Sequence, residues 1–149
     1  MSNALFFAKN MNKEKLTIYI FGNPLLAYDN TPFALVDELR KEFPDINFVE
    51  TDPNENIHPH DGMLVIIDTV ADIDEVIVID DITDIDKIVT NPNYSMHDLD
   101  LGFMLKLLKK IGELTDILIF GVPQKNKKRV VYKQLVSLMK KNLPKIITN

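Results

Sequence analysis

The chain has 149 residues, 46% of them hydrophobic, and 17 basic against 22 acidic side chains leave a formal charge of −5. No apolar run is long enough to span a bilayer and no signal-peptide pattern is present, so a cytoplasmic protein without a membrane partner is expected. The absence of cysteine excludes disulfides, thiolate nucleophiles, and Cys-based zinc and iron–sulfur sites.

A chain of this length buries roughly two-thirds of its unfolded surface, which is enough for one core. A single domain over residues 1–149 is therefore expected. Residues 1–11 read as a peripheral segment or cloning remnant, with Met11 an alternative start. Charge is unevenly spread. Fifteen acidic residues and only Lys87 as a base lie between Asp45 and Asp100, whereas eight bases and no acid follow Asp116. Solvated faces account for this more simply than a charged partner does. Nucleic acid is not expected, because the basic residues sit at one end without interleaved aromatics.

Leu16 to Phe21 is an unbroken apolar run bounded by Gly22-Asn23-Pro24, the pattern of a strand buried on both faces of a parallel sheet. Asp29 then falls in a loop just before Thr31-Pro32, an N-cap followed by a proline suited to the first helical position. Leu35, Val36, Leu39 and Phe43 form a helical stripe over Pro32–Phe43, which Pro44 ends. Ile46 to Thr51 alternates as a second strand. The polar connection from Asp52 to Asp61 has room for one helical turn at most.

Met63 to Ile67 is a second apolar run, closing on Asp68-Thr69. A carboxylate directly after buried aliphatics is costly unless solvated or partnered, which makes Asp68 a candidate for chemistry. Glu75 to Asp80 reads as a strand, and the short connection favours an antiparallel, hairpin-like return. The aspartates from Asp80 to Asp86 lack the glycine and glutamate of a calcium-binding EF-hand loop. Ser95 and Asp98 have capping-box spacing before a helix carrying Leu101, Leu105 and Leu108, with Met104, Leu107 and Ile111 beside them, that ends near Gly112. Ile117 to Phe120 is the third buried strand, ended by Gly121-Val122-Pro123. A last helix over about Lys127–Lys141 turns Val131, Leu135 and Leu138 inward, with Pro144 beyond it. This order indicates a three-layer α/β/α sandwich whose mostly parallel sheet has about five strands, one of them antiparallel.

Asp29 and Asp68 then fall at carboxyl ends of strands and His97 at the head of a helix. If the first and third strands are neighbours, the aspartates meet at the topological switch point where α/β proteins bind ligands. A helix N-terminus stabilises ionised Asp29 and leaves the His97 imidazole neutral, its lone pair free for a cation. Two carboxylates and an imidazole suit a borderline divalent ion such as nickel or zinc. His58-Pro59-His60 is a rival pair, made poor by the intervening proline and the lack of a strand end.

Gly22-Asn23-Pro24-Leu25-Leu26-x-x-Asp29 resembles the opening motif of the hydrogenase maturation endopeptidases, which process the nickel–iron hydrogenase large subunit. The aliphatic run closing on Asp68, then Ser95-x-His97-x-Leu99-x-Leu101, is similar to that family's next two motifs in the same order, and Gly121-Val122-Pro123 to its last strand ending. The resemblance spans about Leu16 to Pro123. It implies that Asp29, Asp68 and His97 bind nickel already carried by the immature large subunit, with Gly22 and Asn23 as the supporting loop. It further implies an endopeptidase that removes the precursor's C-terminal extension, with the water delivered by an aspartate, Asp29 or Asp68 being the candidates, or polarised by the metal. A monomer is expected. The chain differs from the family pattern in Tyr28 and Asn30 flanking Asp29, in Asp52-Pro53-Asn54 after the second strand, and in the short Gln124-Lys125-Asn126 loop. A non-proteolytic nickel-site chaperone of the same fold is the alternative. A nucleotide-binding domain is not, since Gly22-Asn23-Pro24 has one glycine where a phosphate loop needs several.

Overall fold

The computed structural model of the protein describes residues 15–21, 31–51, 57–70, 72–84 and 96–144, with backbone alone at position 31 and over 96–101. Five strands are formed by these residues: β1 (Leu16–Ile20), β2 (Ile46–Glu50), β3 (Met63–Val70), β4 (Ile77–Ile79) and β5 (Asp116–Pro123). Three helices accompany them, α1 (Thr31–Glu42), α2 (Met96–Lys110) and α3 (Lys128–Asn142), and a 3-10 turn covers Ile82–Asp84. The strands make one sheet in the order β2-β1-β3-β5-β4, parallel throughout except for β4 against β5.

Side-chain alternation divides the core into two layers. On one face Ile18, Ile20, Phe48, Val65, Ile67, Leu118, Phe120 and Val122 meet Leu35, Val36 and Leu39 of α1 and Val131, Leu135 and Met139 of α3. On the other, Leu64, Ile66, Ile117 and Ile119 meet Leu105, Met104 and Leu108 of α2, together with Ile57. The architecture is thus the expected α/β/α sandwich. The α1 and α3 layer is further tied by an ion pair between Lys140 Nζ and Glu42 Oε1 at 2.7 Å. Ile57, in the described end of the β2–β3 connection, lies on the α2 face, opposite α1, and residues 57–60 form no helix.

Local chemistry explains the entry and exit of these elements. Asp61 and Gly62 take φ values of 50° and 81°, and His60 and Met63 exchange both backbone hydrogen bonds across them. This is a two-residue hairpin turn of the kind that requires left-handed residues, and it feeds the chain into β3. Beyond α2, Gly112 adopts φ 81° while the N–H groups of Glu113 and Leu114 donate to the Leu108 carbonyl, closing the helix through a left-handed glycine as expected.

Several sequence expectations are corrected. The strand expected over Glu75–Asp80 is trimmed to Ile77–Ile79. It is antiparallel, but its partner is β5 and not the preceding β3. The free edge of β3 is taken by β5 along the whole of Met63–Val70, and three residues of β4 cannot compete with that buried run. For the same reason β3 and β5 continue past the expected ends, so Asp68-Thr69 and Gly121-Val122-Pro123 lie inside strands. In β1 only Ile18 and Ile20 are fully buried; Leu16, Thr17 and Tyr19 are half-covered. In α3 the innermost third position is Met139, with Leu138 packed at the margin. Leu107 and Ile111, expected beside the core stripe of α2, face outward with Phe103.

Candidate functional site

The sheet order makes β1 and β3 neighbours while β2 and β5 lie on their far sides, so the chain reverses its direction of winding between them. In such sheets ligands bind at the carboxyl edge of this strand pair. The edge is well defined. Ile20 pairs with Ile67, the Phe21 amide donates to the Ile67 carbonyl at 2.9 Å, and the Thr51 amide donates to the Ile20 carbonyl at 2.9 Å. The next residue of β3 is Asp68. It is the first position beyond the β1 pairing, yet it is still held in register with Gly121 of β5.

Asp68 is 3% exposed, a carboxylate drawn deep into a strand otherwise made of aliphatics. Alternation puts it on the α2 face, in line with Leu64 and Ile66. Its Oδ1 accepts a hydrogen bond from the Thr69 amide at 2.8 Å. That amide points toward the side where β1 has ended, so the carboxylate replaces a missing strand neighbour and is itself held in one orientation. Beside it in the sheet, Gly121 supplies room. A Cβ there would come within 2.8 Å of both Ile77 Cγ1 and Val70 Cγ2, so side chains from β3 and β4 close over the position that a side chain would fill.

Thr69 is missed by sequence reasoning. It is 3% exposed on the α1 and α3 face, and its hydroxyl has no hydrogen-bond partner among the described residues. Buried hydroxyls without partners are uncommon and cost stability. The available signal was a polar residue at an inward position of an aliphatic strand. Thr69→Val, which removes the hydroxyl and keeps the branched shape, is expected to stabilise the fold by about 1 kcal/mol. The check is a urea midpoint that rises at constant m-value; a midpoint that falls would mean the hydroxyl is paired in solution.

Asp29, Gly22 and Asn23 lie outside the described residues, as does the side chain of His97. The backbone puts His97 in the first turn of α2, which packs on the face that Asp68 shares. Among the described residues no group of three or more His, Cys, Asp or Glu gathers to hold a metal ion. The rival pair lies elsewhere. His58 and His60 line a cleft of about 310 Å³ with Lys15, Leu16, Thr17, Tyr19, Pro59, Met63 and Leu64, at the amino ends of β1 and β3. There the His60 backbone forms the hairpin turn, and its Nε2 stands 3.6 Å from Asp61 Oδ2. This cleft is at the opposite end of the sheet from Asp68. The fold places ligand chemistry at the carboxyl end, so the volume of the amino-end cleft does not redirect the assignment. Tyr132 on α3 has its phenol raised above the ordinary value by burial, then by Glu42 and Glu38; this is an effect of helix packing.

No helix among the described residues is long and apolar enough to cross a membrane. No family model and no curated protein matches the sequence. Among solved structures, the NiFe hydrogenase maturation protease HybD from Thermococcus kodakarensis is similar. It superposes with a TM-score of 0.64 at 18% identity, over 85% of this chain and 97% of that one. An endopeptidase from Escherichia coli known from a solution structure superposes with a TM-score of 0.57 at 14% identity, over 89% of this chain and 90% of that one. Both likenesses are of fold. The fold implied by the sequence resemblance is the fold observed.

Proposed function

We propose that this protein is an endopeptidase that recognises nickel in the immature large subunit of a nickel–iron hydrogenase and removes the C-terminal extension of that subunit. The observation that carries the reading is Asp68, a buried and oriented carboxylate at the β1/β3 switch point of a fold shared with a hydrogenase maturation protease. The order of the sequence motifs adds Asp29 and His97 as its partners, with Gly22 and Asn23 in the loop that leads to Asp29.

In this reading nickel belongs to the substrate. Carboxylates from Asp29 and Asp68 and the neutral imidazole of His97 form a mixed oxygen and nitrogen set that suits it. Capture of the metal turns cleavage into an intramolecular event by holding the scissile peptide beside the site. The attacking water is activated by one of the two aspartates or by polarisation at the substrate's nickel; the sequence offers no cysteine and no Ser–His arrangement for a covalent route. The Thr69 amide keeps the Asp68 carboxylate in one rotamer, so little ordering remains when substrate arrives. In this reading the protein acts as a monomer in the cytoplasm on the nickel-loaded precursor.

The test is mass spectrometry of a hydrogenase large subunit co-expressed with and without this protein. A defined C-terminal mass loss that needs both nickel and the protein is the expected outcome. An unchanged mass, with the precursor still bound, would replace the peptidase by a nickel-site chaperone.

A further inference from the structure

The two faces of β1 and β2 are covered unequally. On the α1 side Ile18, Ile20 and Phe48 are buried. On the opposite side Thr17, Tyr19 and Val49 stay half-buried and Asn47 is exposed, its Nδ2 donating to Thr17 Oγ1 at 3.5 Å. A connection between parallel strands usually lays a helix over such a face. Here the described end of the β2–β3 connection supplies Ile57 and no helix. At the amino ends of β1 and β3 lies the cleft of about 310 Å³, where apolar Leu16, Pro59, Met63 and Leu64 share the lining with His58 and His60. A hollow of this size and mixed lining is near the lower limit for a ligand pocket and favours an occupant that brings apolar surface.

We propose that the occupant is the chain's own N-terminal segment, turned back so that Leu5, Phe6 and Phe7 fill the cleft and give the cover that a crossover helix would provide. Residues 1–14 lie outside the described residues, and three features select them. Position is the first: Lys15 and Leu16 line the cleft and are also where the segment joins β1, so it departs from the cleft itself. Composition is the second. Ala4-Leu5-Phe6-Phe7-Ala8 is an uncharged apolar run whose two aromatic rings gain from any apolar surface within reach. Length is the third. The intervening Lys9–Glu14 is polar and spans at most about 20 Å, and its Asn10 and Asn12 suit a reversal of direction. The tether holds the run near the cleft at an effective concentration in the millimolar range. The same segment from a second copy, or a free apolar ligand, has to compete against that concentration.

The chain has no cysteine, so a single nitroxide label can be attached through Ala8→Cys in the full-length protein. It should broaden the amide resonances of His58, His60 and Met63 and spare those of Val70 and Val122, at the other end of the sheet. When labelled chains are mixed with separate isotope-enriched chains the broadening should vanish, because the contact is within one molecule. A chain begun at Met11 should melt about 5 °C lower than the full chain and exchange its amides over residues 57–63 about tenfold faster. Phe6→Ser with Phe7→Ser should reproduce both changes at full length. Equal melting temperatures and equal exchange in the three proteins overturn the proposal. Broadening that is uniform, or strongest at Val70 and Val122, also overturns it, by putting the segment elsewhere. Broadening that persists between separate chains replaces it with a segment exchanged between two copies.

Discussion

Asp68→Asn is expected to lower single-turnover cleavage of a nickel-loaded precursor by roughly 100-fold or more, with no loss of thermal stability. Asparagine has the volume of aspartate, and its side-chain oxygen can still accept the Thr69 amide, so the strand end keeps its geometry. What disappears is the negative charge. A neutral amide is a weak ligand for a divalent ion and cannot take a proton from water. Stability should hold or rise, because an amide at 3% exposure is cheaper to desolvate than a carboxylate. Cleavage is read by mass and folding by the melting temperature. Wild-type cleavage by the variant would make Asp68 a structural carboxylate that merely caps the end of β3.

His97→Gln should cause a loss of similar size, and its pH profile distinguishes it from the first variant. Metal and proton compete for the imidazole lone pair, and an ordinary imidazole titrates near about 6.5. Wild-type processing should therefore weaken as the solution is acidified through that region. The glutamine variant has polar reach but nothing to titrate, so its small residual rate should lack this limb. Single-turnover rates from about pH 5.5 to 8 on one precursor preparation decide the matter, given the range in which His changes charge. If the variant cleaves at the wild-type rate with an unchanged profile, His97 is a helix cap. A variant that unfolds would show a lowered melting temperature in the same samples.

Much of the fold was legible because the strongest sequence signals are local. Ile18, Ile20, Val65, Ile67, Leu118 and Phe120 sit in short β-branched and aromatic runs, and runs of that kind bury in parallel sheets whatever surrounds them. The stripe of Leu35, Val36 and Leu39 is equally self-declaring. Asp68 stood out because charge follows four aliphatics. What could not be read was the choice of partner. Nothing near Ile77–Ile79 says that β5, which begins at Asp116, will displace the adjacent β3. The second stripe of α2 was blurred for a related reason. An apolar helix face reads the same in sequence whether or not the sheet covers it, so nothing in the pattern separates exposed Phe103, Leu107 and Ile111 from buried Leu105. Thr69 shows in sequence only as a polar residue in an aliphatic strand; that its hydroxyl lacks a partner among the described residues can be recognised only from its surroundings.

The position of β4 has a consequence for how the chain reaches this state. The β3–β4 connection is short enough for the two strands to close as a hairpin, and such closures take microseconds. In the native sheet β5 lies between them, and its residues are synthesised more than thirty positions later. A nascent chain that zips β3 to β4 must unzip before β5 can enter. The native sheet therefore waits on β5: β4 gains its partner only after Asp116–Pro123 has entered beside β3.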